Sequence, residues 1–140
     1  MTHEANKALV RAYLNGLVNE ADSRAIERYI SPDVVFNEGL DVMQILAGVE
    51  ARRAAFPDFR LTIEDQIAEG DKVVTRVVFS GTHHGAFNGV APTGRRITYP
   101  GTAIDRIADG KVVEMWHISD ALSFMRQLSA LPTLQGTQGR

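Results

Sequence analysis

The sequence predicts an α+β domain in which N-terminal helices pack on a strongly curved antiparallel β-sheet, the outline of a cone. Two features of the patterning predict it: apolar residues recur at helical spacing as far as Pro57, and at a spacing of two beyond it. Size is the third. The chain has 140 residues, 44% of them hydrophobic and 23% charged, enough for one core and one internal pocket and too few for two enzymatic domains. Residues 1–132 read as that single domain, and the polar stretch 133–140 as a flexible tail.

In order along the chain, Ala5, Leu9, Ala12, Tyr13, Gly16 and Leu17 fall on one face of a first helix. Asp22 or Ser23 caps a short second helix that buries Ala25, Ile26, Tyr29 and Ile30, and Pro32 stops it. Val34, Val35 and Phe36 form a brief strand. Val42, Ile45, Leu46, Val49, Arg53 and Phe56 return to helical spacing, with Pro57 as the stop. Phe59, Leu61, Ile63 and Ile67 then alternate with polar residues, Glu69-Gly70-Asp71 turns the chain, and 73–79, apolar on both faces, reads as a central strand. The Gly/Pro-rich loop 85–94 leads to a strand at 97–107, and Asp109-Gly110 turns it into another at 112–118. Asp120 opens a last short helix through Ala121, Leu122, Met125 and Leu128.

Composition excludes several functions. Fifteen Lys+Arg against 17 Asp+Glu give a net charge of −2 with no basic cluster, so nucleic acid and anionic membranes are not expected partners. The absence of cysteine removes disulfides, thiolate nucleophiles and Cys-ligated zinc. No apolar run resembles a signal peptide or a membrane span, and a cytoplasmic location is expected. His83 and His84 are adjacent on a predicted strand and project to opposite faces, so no metal site is expected there. Gly89 to Arg95 lacks the Lys-Ser/Thr ending of a phosphate loop, and neither a serine-nucleophile elbow nor a dinucleotide fingerprint occurs. No cofactor is expected.

Several strings share a pattern: Ala54-Ala55-Phe56-Pro57-Asp58-Phe59, Glu69-Gly70-Asp71-Lys72-Val73, Gly81-Thr82-His83, Pro92-Thr93-Gly94-Arg95-Arg96, Ile107-Ala108-Asp109-Gly110-Lys111-Val112-Val113-Glu114, and Trp116 four residues before Asp120. In these strings and in the order of its elements the chain resembles the SnoaL-like polyketide cyclases. They are a branch of the nuclear transport factor 2-like superfamily of cone-shaped, cystatin-like α+β barrels. The resemblance implies an acid/base enzyme that closes a ring by intramolecular aldol chemistry on a hydrophobic carbonyl compound, without metal or covalent intermediate. It also implies that Asp120, near the end of the last strand, is the acid/base, and that Tyr13 lines the pocket. Those cyclases carry an asparagine on the third helix, where this chain reads Val49-Glu50-Ala51-Arg52.

The residues themselves leave alternatives open. Strict alternation puts Val113, Met115, His117 and Ser119 on one face of the last strand and Val112, Glu114, Trp116 and Ile118 on the other. An inward polar set would bring His117 beside Asp120, to tune or share its proton. Asp120 reads equally as a helix cap and His117 as a hydrogen-bonded strand histidine. Tyr13, Asn37, Tyr99, Met115 and Trp116 are candidate substrate-lining residues. Each also has a plain structural reading: core for Tyr13, Tyr99 and Met115, turn chemistry for Asn37, core or subunit interface for Trp116. The rival functions are a non-catalytic small-molecule-binding or dimerisation module, and an isomerase or epoxide hydrolase, for which Asp105-Arg106 is the only hint of a carboxylate–arginine cluster. The partners expected are a small hydrophobic molecule and a second copy of the chain, as a homodimer or a tetramer built from it.

Overall fold

A computed structural model describes residues 2–39 and 41–128, the side chain of Val42 apart. Its elements are α1 (His3–Leu14) running into a π-turn (Asn15–Asn19), α2 (Arg24–Tyr29), β1 (Ile30–Phe36), α3 (Val42–Ala55), β2 (Arg60–Glu69), β3 (Lys72–Thr82), β4 (Arg96–Ala108), β5 (Lys111–Ser119) and α4 (Ala121–Gln127). This is the mixed α+β architecture the patterning predicts. The expected flexible tail at 133–140 lies outside the described residues.

Local chemistry sets the boundaries. Thr2 caps α1 by accepting the Ala5 N–H, and Asp41 with Gln44 closes a reciprocal capping box on α3. Gly70 and Gly110 turn the two hairpins at positive φ, which glycine adopts at no steric cost. The second helix is shorter than its apolar spacing suggests, because Ile30 is already extended and opens β1. Pro32 is accommodated within β1 because this strand lies at the sheet's edge.

The five strands lie in the order β1-β5-β4-β3-β2. Neighbours from β2 to β5 are antiparallel, but β1 runs parallel to β5, which corrects the expectation of a wholly antiparallel sheet. Strict alternation also fails near the start of β5. Arg106 pairs with Glu114 and Ile107 with Val112, so Val113 is an extra, bulged residue, and both Val112 and Met115 reach the core. From Glu114 onward alternation resumes. The concave face of the sheet and the buried sides of α1 and α4 share one core, which includes Val10, Tyr13, Phe56, Ile97, Met115 and Leu128.

Candidate functional site

A cavity of about 240 Å³ lies between the concave sheet face, α1, the π-turn and α3. A second lobe of about 290 Å³ shares Leu14, Phe36, Arg52, Phe79, His117 and Ser119 with it. Together the lobes reach the range of roughly 300–1,000 Å³ usual for small-molecule sites. One wall is aromatic: Phe59 stacks on Phe79 with centroids 5.7 Å apart, and Phe79 on Tyr99, its cross-strand partner, at 5.0 Å. Gln44, Gly48 and Arg52, four residues apart on α3, line the cavity with Ile45 and Val49.

A hydrogen-bonded carboxylate, imidazole and phenol at the cavity wall come from three elements, β4, β5 and α1. Alternation along β4 buries Ile97, Tyr99, Gly101, Ala103, Asp105 and Ile107, so one carboxylate stands in an otherwise mainly apolar row. Asp105 is fully buried. His117 on β5 pairs with Ala103 and so lies diagonal to Asp105, with its Nε2 2.9 Å from Asp105 Oδ1. The Tyr13 hydroxyl, from the buried face of α1, donates to the same oxygen at 2.9 Å and lies 3.2 Å from His117 Nε2.

This geometry assigns protons. A carboxylate oxygen only accepts, so the short contact puts the imidazole proton on Nε2 and leaves the Nδ1 lone pair of His117 for a bound molecule. Among the described residues Nδ1 has no hydrogen-bond partner. Phe36 meets the imidazole edge-on at 5.4 Å and fixes its plane. Burial, then the Asp105 charge and its hydrogen bond, push the Tyr13 phenol well above its ordinary value, so it stays a donor. Asp105 Oδ2 is buried with no hydrogen-bond partner among the described residues. A half-satisfied buried carboxylate is costly, and such arrangements concentrate at working sites.

Of the residues singled out in the sequence, Tyr13, Tyr99, Met115 and His117 line the cavity, whereas Asn37, Trp116 and Asp120 do not. The inward orientation expected of Asp120 is corrected. It follows Ser119 on the outward register of Trp116 and Ile118, is exposed, and its Oδ1 accepts the Ser123 N–H as the cap of α4. Asn37 is likewise not at the cavity mouth: its backbone N–H and its side-chain amide both donate to the Met115 carbonyl. The Glu38 carboxylate next to it accepts the His117 N–H, so the two residues prolong the β1–β5 ladder. Trp116 lies on the convex face, beside Ile104 of β4. His83 is buried against Phe56 and hydrogen-bonded to Thr93, while His84 is exposed. Among the described residues no three His, Asp or Glu side chains are grouped to hold a metal ion. Sequence reasoning weighed Asp105 only beside Arg106, for the epoxide-hydrolase alternative, and did not single out Arg52 as a site residue. Asp105 was legible as a carboxylate on the inward register of a long alternating strand, and Arg52 as a cation four residues beyond Gly48 on the cavity stripe of α3.

The chain is similar over nearly its whole length to solved structures. AclR from Streptomyces galilaeus, a proposed hydroxylase, is 30% identical over 97% of this chain and 92% of its own, with a TM-score of 0.86. TsrD from Streptomyces laurentii is 28% identical over 94% and 99%, with a TM-score of 0.83. IdmH from Streptomyces antibioticus, a proposed polyketide cyclase, is 32% identical over 89% and 98%, with a TM-score of 0.78. No curated protein sequence matches. The model of the SnoaL-like polyketide cyclases matches residues 7–128, so the chain, with its cone of curved sheet around an apolar cavity, belongs to that family.

Proposed function

We propose that this protein is a cofactor-independent cyclase whose general base is His117, with Asp105 and Tyr13 as its positioning residues. The observation that carries the reading is the Asp105–His117–Tyr13 constellation at the wall of an apolar, aromatic-lined cavity. His117 Nδ1 takes a proton from a carbon activated by neighbouring carbonyls. The resulting enolate carbon attacks a second carbonyl of the same molecule, and the alkoxide so formed recovers the proton from the imidazolium. Asp105 holds the tautomer and stabilises the transient cation, as a carboxylate behind a catalytic histidine does. Tyr13 donates to Asp105 throughout.

The test uses a naphthyl ketone, whose α-hydrogens exchange slowly unaided, with deuterium wash-in followed by NMR and binding by fluorescence. His117→Gln and Asp105→Asn are expected to bind the probe yet lose roughly 10²–10⁴-fold in exchange, while Asp120→Asn stays within about threefold of wild type, since it touches only a helix cap. Full exchange in His117→Gln, or its loss in Asp120→Asn alone, overturns the assignment. Binding with no catalysed exchange in the wild type makes the protein a binding module.

Homodimerisation belongs to the same reading. Ile67, Val74, Ile104 and Trp116 are consecutive cross-strand partners on the convex face and form an apolar row across four strands. Ile67 is 63% exposed.

A further inference from the structure

The cavity carries a second polar feature that the acid/base chemistry does not use. Arg52 lines both lobes from the last turn of α3. One guanidinium nitrogen donates to the Gly48 carbonyl at 3.2 Å, Phe87 lies beneath the guanidinium with its ring centroid 5.7 Å away, and Tyr99 lines the same cavity. Among the described residues no carboxylate comes within ion-pair distance of it. Glu38, the one acid lining the second lobe, is tied to the His117 backbone. A guanidinium has five N–H donors in a planar fork that matches a carboxylate edge to edge. Here the fork is braced by α3 and Phe87, only part of its donors is used, and it borders a mainly apolar space. A charge so placed is most stabilised by an anion that enters that space.

We infer that Arg52 selects the substrate: a flat aromatic or ring-forming carbonyl compound bearing a carboxylate, which pairs with the Arg52 fork while its rings lie along the Phe59–Phe79–Tyr99 wall. This rests on the reading of the cavity as the chamber that His117 serves. It adds a substrate class to that reading: an acid, and not its ester or amide, is the ligand. Arg52 stands on the α3 segment Val49-Glu50-Ala51-Arg52, where the sequence departs from the cyclases it otherwise resembles.

The experiment measures binding without chemistry, using 1-hydroxy-2-naphthoate and its methyl ester as probes in fluorescence titrations of the full chain at low and moderate salt. The wild type is expected to hold the acid at least tenfold more tightly than the ester, with the preference shrinking as salt rises. Arg52→Gln removes the preference by weakening the acid alone, and Arg52→Lys restores part of it, since it keeps charge without the fork. Asp120→Asn, whose side chain lies outside both lobes, keeps the full preference. No preference in the wild type, a preference that survives Arg52→Gln, or failure of both probes to bind overturns the proposal. Because no proton is transferred, a tenfold preference beside absent deuterium exchange condemns only the cyclase reading, and the converse condemns only the carboxylate subsite.

Discussion

At the scale of single residues, Tyr13 ties the catalytic proposal to stability. Its phenol ionises less readily in the folded protein than in the unfolded chain, where the pKa is near 10. The sign follows: the stabilisation held by the neutral phenol is complete below about pH 10 and is lost as pH rises toward the higher folded value. Tyr13→Phe takes one donor from Asp105 and is expected to cost about 2 kcal/mol at pH 8, with the gap to wild type narrowing above pH 10. Urea melts at the two pH values check this, and an unchanged gap rules it out. The same residue shows why the site was only half legible. Helical spacing puts Tyr13 on the buried face of α1, but its partner Asp105 is 92 positions away, and nothing in one sequence pairs them. Asp120 drew attention through the family resemblance, as an acid near the end of the last strand, and the same position makes it a cap.

Among elements, the edge of β2 is managed by the π-turn. Asn19 brackets Leu61, accepting its N–H at 2.8 Å and donating to its carbonyl at 2.9 Å, so a side-chain amide stands in for a further strand. Asn19→Ala is expected to lose about 2 kcal/mol, roughly 1 kcal/mol per hydrogen bond, and to speed hydrogen exchange at the Leu61 amide. Unaltered protection there removes the edge role. On β4, a Cβ built at Gly101 meets Phe79 Cε2 at 2.8 Å and the Ile118 carbonyl at 3.3 Å. Gly101→Ala therefore displaces a ring of the aromatic wall. It should cost about 1–3 kcal/mol in a thermal melt and weaken naphthoate binding, whereas an unchanged melt and affinity argue that the wall yields. Strand alternation made β3 and β4 readable in advance, but on β2 it held only as far as Ile63, because a bulge before Asp65 turns Ile67, expected on the buried face, outward. It misled at β5 because a bulge moves Val112 and not Val113 inward, and a bulge leaves no mark in periodicity.

At the scale of the whole molecule, the convex row through Ile104 and Trp116 predicts a pair of copies in contact. Ile104→Lys should halve the sedimenting mass while leaving the melt and the cavity chemistry near wild type, and an already monomeric wild type sinks the idea. The parallel union of β1 with β5 was the one topological feature the sequence concealed, since it joins segments far apart in the chain: Val35 faces Glu114 and Phe36 faces Met115. That union sets the order of events during synthesis. While the ribosome is still translating β4, residues 30–36 have no sheet partner, and the nascent protein exposes Phe36 with one side of the chamber open. Chains stalled before residue 111 should therefore be cut by protease near β1 and fail to capture naphthoate. The half-made cone is thus the stage at which a chaperone would find the most to hold.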